Sequence, residues 1–125
     1  MTELTRILHV SLIVADLDRA LDFYNAVLEL PIDSDRPELG YPGAWLNIGV
    51  QQIHLLQLPN CDPITGRPEH GGRDRHVAFA VSDLERLVAR LTAANVPLTY
   101  SRSGRAALFC RDPDGNALEF IEQVD

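Results

Sequence analysis

Residues 76–84 read HVAFAVSDL and residues 9–17 read HVSLIVADL, so the chain contains one strand-to-helix motif twice. The two segments share an opening His-Val, a later Val and a closing Asp-Leu, and an Arg follows two residues further on in both. After each helical stretch the chain reaches a proline, as Leu30-Pro31 in the first copy and Val96-Pro97 in the second. This self-similarity indicates a doubled module of about sixty residues, with too few copies for a solenoid.

Both copies predict the same order of elements: a strand, a helix and three further strands. Alternating apolar residues predict a strand over residues 7–14 with Leu8 on its bulky face, and apolar residues at helical spacing predict a helix over residues 17–28. Asp16 and Asp83 are the expected N-caps of the two helices. The predicted fold class is therefore α+β, with two βαβββ modules. The other predicted strands cover residues 32–36, 44–48 and 51–58 in the first copy and 76–81, 98–101, 106–111 and 117–122 in the second.

The length of 125 residues corresponds to one domain. We expect modules at about residues 5–59 and 74–125, joined by the loop 60–73. This loop is rich in Pro and Gly and lacks apolar periodicity, and loops of such length are often functional or disordered. It carries His70, which we expect to be a solvated loop residue.

Composition narrows the class of protein. A formal net charge of −7 argues against nucleic acid or an anionic membrane as a partner, because both require a basic face. The sequence shows no bilayer-spanning stretch and no signal peptide, so we expect a cytoplasmic protein. Cys61 and Cys110 form neither a disulfide framework nor a Cys-x-x-Cys site, and Cys110 is expected in the core. Any metal would therefore be held by nitrogen and oxygen.

The repeat places polar residues at matched positions. His9 and His76 open equivalent strands and share their faces with small residues, which leaves room for a ligand. At the far end of each copy, His54 corresponds to Glu119. Glu119 alternates with apolar neighbours, and a buried carboxylate needs a charged partner. Its own strand face offers no Lys or Arg, so a metal ion is the expected partner.

Together these residues predict a divalent metal site. Two His and one carboxylate with open positions make the facial triad of non-haem iron, and His54 would add a fourth ligand. Imidazole and carboxylate suit Fe(II), Mn(II), Ni(II), Co(II) and Zn(II), and the sequence does not choose among them. Taken singly, each residue also fits an ordinary role, as a hydrogen-bonded core histidine or a solvated glutamate.

The sequence resembles the vicinal oxygen chelate superfamily, which includes glyoxalase I, fosfomycin-resistance thiol transferases, extradiol dioxygenases and bleomycin-binding proteins. The resemblance lies in HVSLIVADLDRALDFYNAVLEL, RHVAFAVSDLERL and FCRDPDGNALEFIE, and it covers essentially the whole chain. It implies paired βαβββ modules that form a cupped, barrel-like mixed sheet around one divalent metal per chain. The implied ligands are His9, His54, His76 and Glu119. It further implies a homodimer in which His9 and His54 of one chain share a site with His76 and Glu119 of the other.

Within that superfamily the chain is most similar to glyoxalase I-type proteins. This similarity implies a lactoylglutathione lyase-type isomerisation of a small thiol or vicinal-oxygen substrate, with glutathione as a candidate co-substrate. Glu119 would move the proton. Alternatives are an Fe(II)-dependent ring-cleaving dioxygenase and a non-catalytic protein that binds a small molecule or drug. Candidate substrate-binding residues are the loop arginines Arg73, Arg75, Arg102 and Arg105.

Overall fold

A computed structural model describes residues 2–123 of the chain. The chain divides between Asn60 and Cys61 into two compact units. Each unit contains one open four-stranded mixed sheet, and the two sheets have the same topology. None of the helices within residues 2–123 is long and apolar enough to cross a membrane.

The first unit has the predicted order of strand, helix and three strands. Its sheet order is β1-β4-β3-β2, with β1 parallel to β4 and the other pairs antiparallel. The second half of its helix is π-helical, where the sequence predicted an uninterrupted α-helix over residues 17–28. The elements are β1 His9–Val14, α1 Leu17–Leu21 with its π-helical continuation Asp22–Val27, β2 Ile32–Asp33, β3 Gly43–Ile48 and β4 Gln51–Gln57.

The second unit repeats this topology. Its sheet order is β5-β8-β7-β6, with β5 parallel to β8. A short 3-10 turn, Gly71–Arg73, precedes β5 and packs against the sheet. The predicted α+β class and the doubled βαβββ order are therefore confirmed. The elements are β5 His76–Val81, α2 Leu84–Ala93, β6 Leu98–Tyr100, β7 Ala107–Arg111 and β8 Ala117–Glu122.

The strand registers show how closely the two units correspond. Ser11 of β1 lies opposite His54 of β4, and Ala78 of β5 lies opposite Glu119 of β8. Ser11 and Ala78 each lie two residues after the first residue of their strand. His54 and Glu119 therefore occupy equivalent places in their sheets, as the repeat predicted.

The correspondence extends to the helix starts. Asp16 accepts a hydrogen bond from the Arg19 backbone N–H, and Asp83 accepts one from the Arg86 backbone N–H, so both predicted N-caps are confirmed. In addition, the last residue of β4 and the last residue of β8 each cap the helix of their own unit. Gln57 Oε1 accepts from the Leu17 N–H at 2.8 Å, and Glu122 Oε1 accepts from the Leu84 N–H at 3.0 Å. These bonds satisfy N–H groups that the first helical turn leaves free.

Each helix packs its apolar face on its sheet, and the core of each unit lies between them. The histidine-bearing faces of β1 and β5 are the more exposed ones, as predicted. Leu8 was predicted on the bulky face of a strand beginning at residue 7, but β1 begins at His9 and Leu8 is 59% exposed. Cys110 is buried, as predicted. The largest fully buried side chains are Val14, Tyr24, Leu46, Ile53 and Leu55 in the first unit and Leu87, Leu91, Leu108 and Leu118 in the second.

Candidate metal and substrate site

The two expected ligands of the first unit lie in a stack of three aromatic rings. The His9 and His54 rings have centroids 3.8 Å apart and planes 13° apart. Trp45, opposite His54 in the β3–β4 register, stacks on the other face of His54 at 4.5 Å and 8°. The stack holds the His54 ring in one plane, and sequence reasoning did not identify Trp45 as part of the site.

A polar network fixes the tautomer of His54. Gln52 Nε2 donates to Asp33 Oδ2 and to Asn47 Oδ1, both at 2.8 Å, so Gln52 Oε1 is the acceptor that faces His54. His54 Nε2 lies 2.8 Å from that oxygen and must carry the hydrogen, which leaves the lone pair on Nδ1. Burial lowers the pKa of His54, and the neighbouring His9 and Arg36 lower it further. A neutral imidazole with a defined lone pair is the form that binds metal.

The second unit brings together His76 and Glu119. His76 Nε2 lies 3.2 Å from Glu119 Oε1. His76 Nδ1 lies 2.9 Å from the Asp74 backbone oxygen, which can only accept, so Nδ1 donates. A histidine that donates one ring N–H to a backbone carbonyl presents its other nitrogen in a fixed direction, as metal-binding histidines usually do.

The charged partner of the buried Glu119 is an arginine, where the sequence predicted a metal ion. Glu119 is buried, with 4% of its surface exposed, so the prediction that it needs a charged partner is confirmed. That partner is Arg105, whose NH2 donates to Glu119 Oε2 at 3.2 Å. Arg105 comes from the loop before β7 and not from the strand face of Glu119. A metal ion is therefore not required to explain the burial of this carboxylate.

Three of the four predicted substrate-binding arginines line one cleft in the second unit. The cleft has a volume of about 360 Å³, and His76 and Glu119 lie in its wall. Arg75 lies elsewhere, in an exposed ion pair with Asp62 at 2.7 Å. The cleft arginines are Arg73, Arg102 and Arg105.

His70 also lines this cleft, and the prediction of a solvated loop residue was wrong. Its Nδ1 accepts from the Gly72 N–H at 3.0 Å, its Nε2 lies 3.2 Å from the Tyr100 carbonyl oxygen, and its ring lies 5.0 Å from the ring of Phe109. A Cβ on Gly72 would come within 3.0 Å of His70 Nδ1 and 3.2 Å of Phe109. The paired glycines after His70 were the available sequence signal, because such pairs allow close backbone approach.

Asp74 holds the loop beside the cleft in place. Its carboxylate accepts from Arg67 Nε at 2.7 Å and from Arg111 NH1 at 2.8 Å. These hydrogen bonds, led by the one from Arg67, hold the pKa of Asp74 well below its usual range. Because the backbone oxygen of Asp74 orients His76, this ion-pair network also positions a candidate ligand.

Asp74→Asn is therefore expected to destabilise the fold by about 1.5–3 kcal/mol at pH 7, the range for hydrogen bonds to charged groups. A carboxyl whose pKa is lowered by folding stabilises the fold above its unfolded-state pKa of about 4 and loses that effect as pH falls further. The difference in free energy of unfolding between wild type and variant, measured by urea unfolding, should thus become smaller below about pH 4. Asp62→Asn is the control, since its exposed pair with Arg75 should contribute at most about 1 kcal/mol. Equal losses in both variants would contradict this role for Asp74.

The four predicted metal ligands are present as two pairs, one pair in each unit. Within residues 2–123 the structure shows no group of three or more His, Cys, Asp or Glu side chains placed to hold a metal ion. The donor chemistry of each pair nevertheless fits a divalent cation of intermediate softness. His54 Nε2 and His76 Nδ1 each donate to an oxygen, which leaves a lone pair on the other nitrogen of each ring, and Glu119 supplies a buried carboxylate. The assignment of His9, His54, His76 and Glu119 as ligands stays a prediction.

Comparison with known proteins gives a consistent family. The sequence profile of the Glyoxalase/Bleomycin resistance protein/Dioxygenase superfamily matches residues 6–120. The lactoylglutathione lyase of Haemophilus influenzae is 32% identical over an alignment of 128 positions, which covers 94% of this chain and 92% of that relative. The crystal structure of a lactoylglutathione lyase from Agrobacterium tumefaciens has a TM-score of 0.69 at 25% identity and covers 97% of this chain and 96% of that one. A glyoxalase family protein from Bacillus anthracis, 21% identical with a TM-score of 0.77 over 99% of both chains, shares the fold.

Proposed function

Since this chain belongs to the Glyoxalase/Bleomycin resistance protein/Dioxygenase superfamily, we propose that it is a divalent-metal-dependent lyase of the glyoxalase type. The observation that carries the proposal is the pair formed by His76 and the buried Glu119 in the wall of an arginine-lined cleft. A buried carboxylate next to a histidine is suited to move a substrate proton. The similarity to lactoylglutathione lyases supports this reaction type over the alternatives.

The proposed ligands of the metal are His9, His54, His76 and Glu119. A bound Ni, Zn, Mn, Co or Fe ion would supply Lewis-acid polarisation of two vicinal substrate oxygens. Gln52 keeps His54 in the tautomer with its lone pair on Nδ1, and Asp74 keeps His76 in the tautomer with its lone pair on Nε2. These contacts orient the two rings before any ligand binds.

The substrate we propose is a small molecule with vicinal oxygens, such as the hemithioacetal of glutathione and a 2-oxoaldehyde. Glu119 would take the proton from one carbon and return it to the adjacent carbon. Arg73 and Arg102 lie in the same cleft and would bind substrate carboxylates by charge-assisted hydrogen bonds. Glutathione carries two carboxylates, which suits a cleft with more than one guanidinium group.

Metal analysis of protein purified without chelator, combined with activity screens in the presence and absence of oxygen, tests this proposal. We expect about one nickel, zinc, manganese or cobalt ion per chain and turnover that depends on a thiol. Iron together with oxygen uptake would instead support the ring-cleaving dioxygenase. Protein that binds no divalent metal would contradict the proposal and support the non-catalytic binding protein.

A further inference from the structure

The cleft of the second unit carries more positive charge than its own acid can balance. Arg73, Arg102 and Arg105 line it together with a single carboxylate, Glu119. Glu119 already pairs with Arg105, and in the part of the chain that the structure describes no acid pairs with the guanidinium groups of Arg73 and Arg102. The whole chain has a formal charge of −7, so unpaired arginines that converge on one cleft are a local exception. Such a cluster favours an anionic ligand.

Each carboxylate oxygen of Glu119 lies near a side-chain nitrogen in this structure. Oε1 lies 3.2 Å from His76 Nε2, and Oε2 accepts from Arg105 NH2 at 3.2 Å. His76 Nε2 carries a lone pair and does not donate to Oε1, whereas the positive charge of Arg105 at Oε2 opposes the binding of a cation or of a substrate proton there until Arg105 withdraws. Arg105 can do so readily, because its side chain is 56% exposed and is otherwise held by Ser103 Oγ, which accepts from Arg105 Nε at 3.1 Å.

We propose that Arg105 is an exchangeable partner of Glu119, and that an oxyanion of the ligand, a carboxylate or a phosphate-type group, withdraws it into the cluster formed with Arg73 and Arg102. This exchange would leave Oε2 of Glu119 free for the divalent cation. A buried carboxylate cannot remain unpaired at low cost, so the anion and the cation favour each other's binding. Such coupling is reciprocal and typically changes affinity about 5- to 150-fold. The inference rests on the proposed metal-dependent function and adds an order of binding to it. The anionic end of the substrate withdraws Arg105 first, and Oε2 of Glu119 then binds the cation.

The test compares the Ni²⁺ affinity of metal-free wild type, Arg105→Gln and Arg75→Gln by titration calorimetry at constant ionic strength. Arg105→Gln removes the competitor of the cation, so it should bind Ni²⁺ about five-fold or more tightly than wild type. Arg75→Gln is the matched control, because Arg75 lies outside the cleft in an exposed pair with Asp62, and it should leave Ni²⁺ affinity unchanged. If Arg105 only stabilised the fold of the cleft, Arg105→Gln would bind Ni²⁺ more weakly than wild type. Equal or weaker Ni²⁺ binding by a folded Arg105→Gln would overturn the proposal. Arg105→Lys, which keeps the charge, should resemble wild type.

A second arm needs no metal and separates this inference from the proposed function. Methylphosphonate is titrated into metal-free wild type while NMR follows the Arg105 Nε–H and the Glu119 carboxyl carbon. We expect both signals to shift together in wild type, and the Glu119 signal to stop responding in Arg105→Gln. If the protein binds no Ni²⁺ but methylphosphonate still shifts both signals, the proposed function fails and the exchange stands. If Ni²⁺ binds but methylphosphonate moves neither signal, the exchange is wrong and the proposed function stands.

Discussion

Glu119→Gln is expected to lower turnover of a hemithioacetal substrate about 10²–10⁴-fold, the usual effect of losing a positioned base. Gln has the same shape and retains one oxygen that can bind a cation, in place of the carboxylate that now lies 3.2 Å from His76 Nε2. It cannot accept the substrate proton, so chemistry should suffer far more than metal uptake. Turnover and metal content, measured on the same preparation, test this difference. Near wild-type turnover would remove Glu119 from the role of base.

Two companion variants make this result specific. His76→Ala should lose both metal and turnover, because it removes a proposed ligand outright. Glu122→Gln is the matched control on the same strand, three residues along. The Glu122 side chain accepts from the Leu84 N–H, and Gln57 makes the equivalent bond in the first unit, so Gln at position 122 should be tolerated. A large loss of turnover in Glu122→Gln would indicate that any acid-to-amide change in β8 is harmful and would weaken the assignment.

The sequence predicted the features that depend on local periodicity. Alternation and helical spacing defined the elements, and the repeat placed His54 and Glu119 at equivalent positions, which the β1–β4 and β5–β8 registers confirm. The helix caps at Asp16 and Asp83 were also predictable, since an Asp side chain that accepts from an N–H three residues ahead is a local interaction. The alternation, the helical spacing and the caps are signals within a few residues of one another, and the repeat transfers them from one copy to the other.

Contacts set by loop geometry could not be predicted in this way. Arg105 and Glu119 are 14 residues apart, and their pairing depends on how the loop before β7 turns back over the sheet. His70 reaches the Tyr100 carbonyl 30 residues away, and Asp74 reaches Arg111 across 37 residues. Periodicity carries no information about such contacts, because it reports which face a residue occupies and not which loop covers it.

The aromatic neighbours of the site were missed for a different reason. Trp45 lies opposite His54, and Phe109 lies opposite Glu119, so the two aromatic residues are equivalent in the paired sheets. The turns that follow their strands differ in length, since Ile48 pairs with Gln51 in one unit and Arg111 pairs with Ala117 in the other. As a result, the distance along the chain from the aromatic residue to the candidate ligand is one residue longer in the second copy than in the first. Residue-by-residue alignment of the repeat therefore hides the correspondence.

A mixture of His9→Ala and Glu119→Gln chains is expected to regain roughly a quarter of wild-type activity if two chains share each site in a closed two-fold dimer. Each homodimer carries one lesion in both of its sites and should be inactive. In a heterodimer, one site collects both lesions and the other site is intact. Random pairing makes about half of the dimers heterodimers, each with one good site of two. Turnover after co-refolding, with the fraction of heterodimers determined by differently tagged chains, measures this recovery.

The matched control for this experiment mixes His76→Ala with Glu119→Gln. Both of these residues belong to the second unit, so a shared-site heterodimer still carries one lesion in each site and nothing should return. Recovery in the first mixture and not in the second would show that one site draws His9 from one chain and Glu119 from the other. If heterodimers are present and neither mixture recovers, the two pairs of ligands act within one chain. In a single-chain arrangement every site of every dimer carries a lesion, so no mixture can recover. That outcome would make the shared-site dimer wrong. It would leave the proposed ligand set of His9, His54, His76 and Glu119 unaffected.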